Sequence, residues 1–408
     1  MSAIITVFPV CNGDMTLVEF ESGRTLLIDI NIRQPSEDIR DVAQDLRDRL
    51  KKDSEGRPYV DAMLLTHPDQ DHCRGFVEHF HVGPLTDYST PKKGEEGKIV
   101  IREMWSSPMT FRRKKKKDKA LCADAEEWRQ EARRRVNLFK AGKTPGDGDR
   151  IQVLGEDESG KTDNLDDILV KTGGTIERIN GEMDKTFSGY LIAPKEKGTD
   201  EEEETRSKNN SSVIMRLSIA NGEEKTACRY LLGGDAEVGI WERVWADHKR
   251  TPGLLEYNLM QAPHHCSWHS LSWESWGDTN GEAEVSQDAR KALGQALADA
   301  YIVASSKEIS DDDCDPPCYG AKEEYEDILS DKGGTFLNTE AHKHKGEVVP
   351  MVFEVTEDGP VLQATDSKLG IKDTTTKRAA VSAAYLQTRA AEVAQRAPVQ
   401  KEGGGRYA

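Results

Sequence analysis

No apolar run in this chain approaches the roughly 20 residues that a bilayer-spanning helix needs, so a membrane-embedded role is not expected. The first residues, Met1-Ser2-Ala3-Ile4-Ile5-Thr6, carry no basic stretch and read at once as a strand; a secretory signal is not expected, and a cytoplasmic location is. Cysteine is sparse: seven residues, an odd number without a framework spacing, which excludes a disulfide scaffold and points to a reducing compartment. Cys314 and Cys318, separated by three residues that include two prolines, read as a loop, with a second zinc site as the alternative. Positive charge is in deficit. The formal net charge of −17 excludes a bulk electrostatic affinity for nucleic acid or anionic membranes. No repeat of solenoid length is present. What remains is 408 residues, 36% hydrophobic and 32% charged, enough for a sizeable core. That length holds two or three average domains, or one large α/β sandwich.

The densest chemistry lies at Thr66-His67-Pro68-Asp69-Gln70-Asp71-His72, directly after the apolar run Ala62-Met63-Leu64-Leu65. A buried strand thus ends in two imidazoles and two carboxylates, the ligand types that zinc and manganese take. So many such groups close together need a cation to hold them. A solvated polar loop is the bland alternative.

The spacing resembles the H-x-H-x-D-H signature of the metallo-β-lactamase superfamily, with Asp69 where the second histidine usually stands. With proline after the first histidine, it resembles the soluble hydrolase domain of ComEC-type competence proteins. Other segments follow in the same order. Val10-Cys11-Asn12-Gly13-Asp14 resembles the opening V-G-x-G-D, and Thr25-Leu26-Leu27-Ile28-Asp29 the L-I-D strand. Asn209-Asn210-Ser211-Ser212-Val213 resembles N-x-x-S, and Leu231 to Glu237 resembles T-G-D-x-x-x-E. Ala262-Pro263-His264-His265-Cys266-Ser267 resembles P-H-H-G-S, with cysteine in place of glycine. Each motif alone is weak, and their order makes the resemblance. It covers residues 1 to 360 and implies a four-layer αββα sandwich.

The resemblance also implies two divalent metals, zinc favoured and manganese possible. His67 and Asp69 would hold the first, Asp71 and His72 the second, and Asp235 would bridge them. His264 or His265 would complete the second; the sequence leaves open which, and the other would meet substrate or protonate a leaving group. The only histidines between His72 and Asp235 are His79 and His81, too close to the motif to return as the usual third histidine of the first metal. Asn209, Asn210 and Ser211 fall near that place and are candidate substrate or metal contacts. An oxygen-rich first site suits manganese. Asp29 reads as a hydrogen-bond partner that orients an imidazole, and Asp14 similarly, with a turn role as alternative.

The expected organisation is a hydrolase domain over 1–365, with an insertion at about 84–150 and an acidic linker at about 195–208, then a C-terminal helix and flexible tail over 366–408. Within the domain, helical spacing predicts a helix over 36–51 capped by Ser36, one over 123–140 and one over 281–299. Further helices are expected at 75–80, 235–249 and 322–331. Strands are expected at 98–105, 213–219, 227–232, 255–261, 300–305 and 348–355. Asp235 is also a possible cap for the helix after it. The insertion holds the basic run from Arg112 to Lys119, with more arginines at 129, 133, 134 and 135. It reads either as a solvated insertion or as a phosphate-binding arm outside the core, with Arg113 and Lys115 among its contacts. Trp268, Trp273 and Trp276 read as core or as an aromatic pocket wall.

The expected activity is metal-dependent hydrolysis using a metal-bridged hydroxide, a phosphodiesterase or nuclease first, with nucleic acid or another phosphodiester as partner. The alternatives are a small-molecule hydrolase of lactonase, thioesterase or β-lactamase type, and a subunit that acts within a multi-protein, defence-related complex.

Overall fold

The computed structural model describes residues 2–112, 121–157, 160–195, 211–279 and 281–365. Two sheets face one another. The first contains β1 (Ile4–Val7), β2 (Thr16–Glu19), β3 (Thr25–Ile28), β4 (Pro58–Leu64), β5 (Val100–Ser106), β6 (Arg150–Leu154) and β7 (Leu169–Val170). The second contains β8 (Thr175–Ile176), β9 (Phe187–Ala193), β10 (Ile214–Asn221), β11 (Glu224–Leu232), β12 (Tyr257–Gln261), β13 (Ala296–Ala304) and β14 (Thr335–Asn338). The chain then returns to the first sheet with β15 (Met351–Thr356) and β16 (Gly359–Leu362). The orders are β16-β15-β1-β2-β3-β4-β5-β6-β7 and β8-β9-β10-β11-β12-β13-β14, and the short strand Lys51–Lys52 pairs with β4. From β3 to β7, and from β11 to β14, the pairings are parallel.

The helices are α1 (Val42–Arg49), α2 (Gln70–Cys73), α3 (Phe76–His79), α4 (Ala123–Lys140), α5 (Val238–His248), α6 (Gln287–Leu293) and α7 (Tyr319–Ser330), together with a single turn at Pro108–Arg112. The layering follows from strand periodicity, since successive side chains leave opposite faces. Leu26, Ile28, Ala62 and Leu64 enter the core between the sheets, where they meet Leu217, Tyr230 and Leu259. Their neighbours Leu27, Met63 and Leu65 face outward onto α1 and α4 through Val42, Leu46 and Trp128. On the far side, Leu231 and Met260 face α5 to α7 through Trp241, Ala292 and Tyr325. Both faces of each central strand are covered, hence the unbroken apolar runs. The result is an αββα sandwich in four layers.

Several boundaries differ from the sequence reading. The helix expected over 36–51 starts at Val42, because the Asp41 side chain accepts the Gln44 amide at 3.0 Å and caps it. Asp235 is not a cap; α5 starts at Val238, after Glu237. The helix expected over 281–299 is α6 alone, started by Ser286 and ended at Gly294. Residues from Ala296 are already in β13, where pairing with β12 and β14 overrides the helix propensity of alanine. The helix expected at 75–80 is the single turn α3. A further strand, β16, follows the expected last one.

The basic insertion is corrected in part. α4 spans its expected residues but is a core helix, with Trp128 and Arg135 fully buried. Glu131 pairs with Arg134 and Arg135, and Arg135 also donates to the carbonyls of Ile101 and Arg150. Arg129 is bonded to Glu126. These arginines serve packing and ion pairs. Arg113 and Lys115, most of the acidic linker, Asn209, Asn210 and the C-terminal helix lie outside the described residues.

Candidate metal centre

The parallel strands of both sheets end at one edge, and the loops beyond their carboxyl ends converge there, as open α/β sheets bring ligand-binding groups together. Asp29 follows β3, the His67–His72 segment follows β4, Asp235 follows β11, and His264 and His265 follow β12. Backbone hydrogen bonds tie the loops together, the first of them across the two sheets. Val213 donates to Thr66, His264 to Gly234, and Asp14 to Asp71.

Asp235 sits at the middle, buried, with its two oxygens facing different partners. Oδ1 lies 2.8 Å from His72 Nε2 and 3.5 Å from His265 Nε2. His265 Nε2 is also 3.4 Å from Asp71 Oδ2. Oδ2 lies 3.6 Å from His67 Nε2 and 3.7 Å from His264 Nε2, and His67 Nε2 is 3.5 Å from Asp69 Oδ2. One half of the centre is thus His72, His265 and Asp71; the other is His67, His264 and Asp69. Two ligands held at about 2.1 Å in tetrahedral array stand about 3.4 Å apart, close to most of these separations. The direct His72–Asp235 contact is shorter and would open slightly around an ion.

The two adjacent histidines face different partners. His265 faces the Asp71 side and His264 the Asp69 side, so each half has two imidazoles without a histidine from residues 73–234. His79 and His81 do not join them. His81 Nε2 lies 3.1 Å from the Pro84 carbonyl instead. Three successive residues in the left-handed region make the split: His264, His265 and Cys266, with φ of 51°, 54° and 68°. Such backbone is costly for residues with a Cβ and persists where its surroundings hold it. Cys11 has φ 59° as well. Both cysteines stand where the resembling motifs carry glycine, the residue that adopts this conformation without strain.

Each imidazole on the Asp71 side has a carboxylate behind it. His72 Nδ1 is 2.8 Å from Asp29 Oδ2, and Asp29 is held in turn by the Thr66 amide at 2.7 Å. His265 Nδ1 is 3.3 Å from Asp14 Oδ1. These carboxylates fix which ring nitrogen points at Asp235. Asp14, His72, Asp235 and His265 form one compact buried group able to hold a metal ion. The sequence reading left Asp14 between partner and turn; its one available signal was the Gly-Asp pair of the opening motif.

Electrostatics describe a centre short of positive charge. Burial opposes every ionised form, yet Asp235 stays well below the usual carboxylate range because His72, His264, His265 and His67 surround it. Burial likewise opposes ionisation of Asp71, but the His265 hydrogen bond and nearby His72 bring it down to about 2. Burial works against charge on His265, and Asp235 and Asp14 outweigh it, pushing the imidazole up to about 10. His72 is raised for the same reason by Asp235 and Asp29. The carboxylates thus draw protons onto the imidazoles where they would otherwise draw cations. Nε2 of His67 and of His265 are buried and face Asp235 at 3.6 and 3.5 Å, with Asp69 and Asp71 at 3.5 and 3.4 Å. Buried imidazole nitrogens that face carboxylates at such separations fit a bound ion.

The remaining candidates are placed as follows. Ser211 is buried beside Ser212, with its hydroxyl unpartnered among the described residues. Trp268 is in the outer core and meets Trp276 edge-on at 4.8 Å; Trp273 is exposed and bonds Glu242. They do not form a pocket wall together. Cys318 is buried at the start of α7 and Cys314 is exposed.

Gly13 packs against this centre so closely that a Cβ would lie 2.1 Å from the Asn31 amide nitrogen and 2.8 Å from the Asp71 carbonyl. Gly13→Ala must therefore displace the Asn31 side chain and crowd the Asp71 turn. The expected result is a folded protein whose metal affinity, read by calorimetric titration, falls about tenfold or more, as when groups supporting a ligand are lost. Unchanged affinity would show that the turn is not held by this contact.

The chain is an αββα sandwich carrying a buried Asp/His cluster able to hold metal. No protein-family model and no curated protein matches the sequence. Among solved structures it is similar to the crystal structure of unliganded yeast PDE1, with a TM-score of 0.37 and 10% identity over 83% of this chain and 97% of that one. Among the described residues, no helix is long and apolar enough to cross a membrane.

Proposed function

We propose that this protein is a dinuclear metal-dependent phosphodiesterase of the metallo-β-lactamase type, its motifs resembling the ComEC-type hydrolase domain. The observation that carries the reading is the two-sided environment of Asp235, one oxygen toward His72 and His265 and the other toward His67 and His264. His67, Asp69 and His264 would hold one divalent ion; Asp71, His72 and His265 the other; Asp235 would touch both. Zinc suits the imidazole-rich sets, and manganese the carboxylates. Ions in such a pair activate water near neutral pH and polarise the oxygen of the bond to be broken. The protein's own part is positioning. Asp29 and Asp14 keep the His72 and His265 Nε2 atoms inward, Gly234 lets the strand end that carries Asp235 pack closely on Thr66, and Asp71, partly open to solvent, can accept a proton from attacking water.

A second reading, hydrolysis of a small acyl substrate, is favoured by one feature. The loop Asp311-Asp312-Asp313-Cys314-Asp315 approaches His269, with Asp315 Oδ2 3.9 Å from its Nε2. Pro316, which follows this loop, accepts a hydrogen bond from Asn12, two residues before Asp14, so its acidic groups oppose a polyanion there, and Arg129, Arg134 and Arg135 of α4 are held in ion pairs. A nucleic acid would then rely on the run that includes Arg113 and Lys115.

Bis-p-nitrophenyl phosphate, single- and double-stranded DNA, a lactone and a thioester, each with zinc or manganese, separate these readings. Chelator-sensitive turnover of the phosphodiesters is the expected result. Charge reversal of Arg113, Lys115 and Lys117 is then expected to weaken DNA cleavage and flatten its salt dependence, leaving the small reporter unaffected. Acyl turnover alone would overturn the reading. No turnover of any substrate would transfer it to a complex with a partner chain.

A further inference from the structure

Cys73 is the residue directly after His72, at the end of α2, and its sulfur lies 3.5 Å from that of Cys122. The two are far apart in sequence and meet because the start of α4 packs on the α2–α3 turn. Asp124, in the first turn of α4, accepts the backbone amides of Gly75 at 3.2 Å and Val77 at 2.8 Å, which fixes this contact. The Cys73 thiol also donates to the Asp69 carbonyl at 3.2 Å. Cys122 is the N-cap of α4, its sulfur accepting the Ala125 amide, and it is partly open to solvent, whereas Cys73 is buried. No other function of the site described above uses either sulfur.

We propose that Cys73 and Cys122 are a reversible redox pair, oxidised to a disulfide by a hydroperoxide, and that the bond loosens the metal centre through the Asp69–His72 turn. The Cys122 sulfur is the attacking group, since it is the accessible one and sits on the amides of a long helix. It attacks the terminal peroxide oxygen, the O–O bond breaks, and water or an alcohol leaves, giving a sulfenic acid. The Cys73 sulfur then attacks the Cys122 sulfur, forms the S–S bond and releases water. Two thiols and one hydroperoxide thus give one disulfide, one water and one water or alcohol. A dithiol returns both sulfurs to the reduced state.

The structural consequence follows from distance. The sulfurs must close from 3.5 Å to about 2.05 Å. Cys73 loses its hydrogen, so the Asp69 carbonyl loses its donor, and the turn that carries Asp69, Asp71 and His72 is pulled toward α4. This second half of the proposal rests on the metal-centre reading above; formation of the disulfide does not.

The full-length protein, loaded with zinc, is treated with hydrogen peroxide, and its thiols are counted under denaturing conditions before and after. The expected count falls from seven to five, with a Cys73–Cys122 linked peptide in the digest, and dithiothreitol restores it. Zinc release to a chromogenic chelator is expected to rise at least about tenfold in the oxidised protein. Cys122→Ser keeps a capping hydroxyl and is expected to bind zinc as the parent does, lose no thiol pair and release no extra zinc. Cys73→Ala checks the same point from the other side. An unchanged thiol count, or a link between other cysteines, overturns the pair. A formed link with zinc retained overturns the coupling to the centre. Failure of the untreated protein to bind zinc tells against the metal reading and not against the pair.

Discussion

Asp71→Ala is expected to abolish hydrolysis while leaving the protein folded. The carboxylate touches His265 at 3.4 Å and is the open member of the centre, with 35% of its side chain exposed. Its loss therefore leaves little buried charge stranded, unlike removal of Asp235, which lies among four imidazoles. Groups that merely support a ligand cost 10- to 100-fold when removed, so loss of this ligand and proton acceptor is expected to cost more than about 100-fold in kcat/KM. Circular dichroism and thermal melting show that the fold persists. Activity within a few fold of the parent at saturating zinc and manganese would place the chemistry elsewhere.

Metal removal carries the second large effect, and its pH dependence has a definite sign. A cation present at about 1,000 times its Kd stabilises the native state by about 4 kcal/mol. For a chain of this size that is roughly 5 °C in Tm. Without a cation, protonated imidazoles balance the carboxylates. His265 is raised to about 10 from an ordinary value near 6.5, so its contribution is complete below about 6.5 and is lost as pH rises through 10. Asp71 is depressed to about 2, so its contribution is present above about 4 and is lost as pH falls through 2. Chelated protein should therefore lose stability between pH 7 and 10. Metal binding must displace the same protons and strengthens over that interval. The metal-dependent rise in Tm is expected to grow from pH 6 to 9, read by differential scanning fluorimetry with and without chelator. A rise that shrinks with pH would mean that these histidines are not the ligands.

The loop of candidate ligands was legible because it is local. His67, Asp69, Asp71 and His72 lie within six residues, after a run whose apolar character marks a strand covered on both faces. The same holds for the residues that end β3, β11 and β12, where an apolar run stops at Asp29, Asp235 or His264. The layered fold followed from strands read in this way. The helix expected from Gly281 to Asp299 did not follow, because its second half has helical composition but finds strand partners on both sides. Composition records a local preference, and the sheet outweighs it.

Tertiary structure alone decided how the centre is divided. Sequence names two adjacent histidines, but their left-handed backbone sends His264 to one oxygen of Asp235 and His265 to the other. It also chose, of the two roles open to Asp14, that of partner to His265, and made Arg134 and Arg135 of α4 ties for Glu131 and three carbonyls. The physical reason is the same in each case. Periodicity and turn chemistry act between residues a few positions apart and leave their mark in the sequence. A charge instead chooses its partner by distance and burial across the folded chain, and Asp14 and His265 become neighbours only once two sheets have closed on each other.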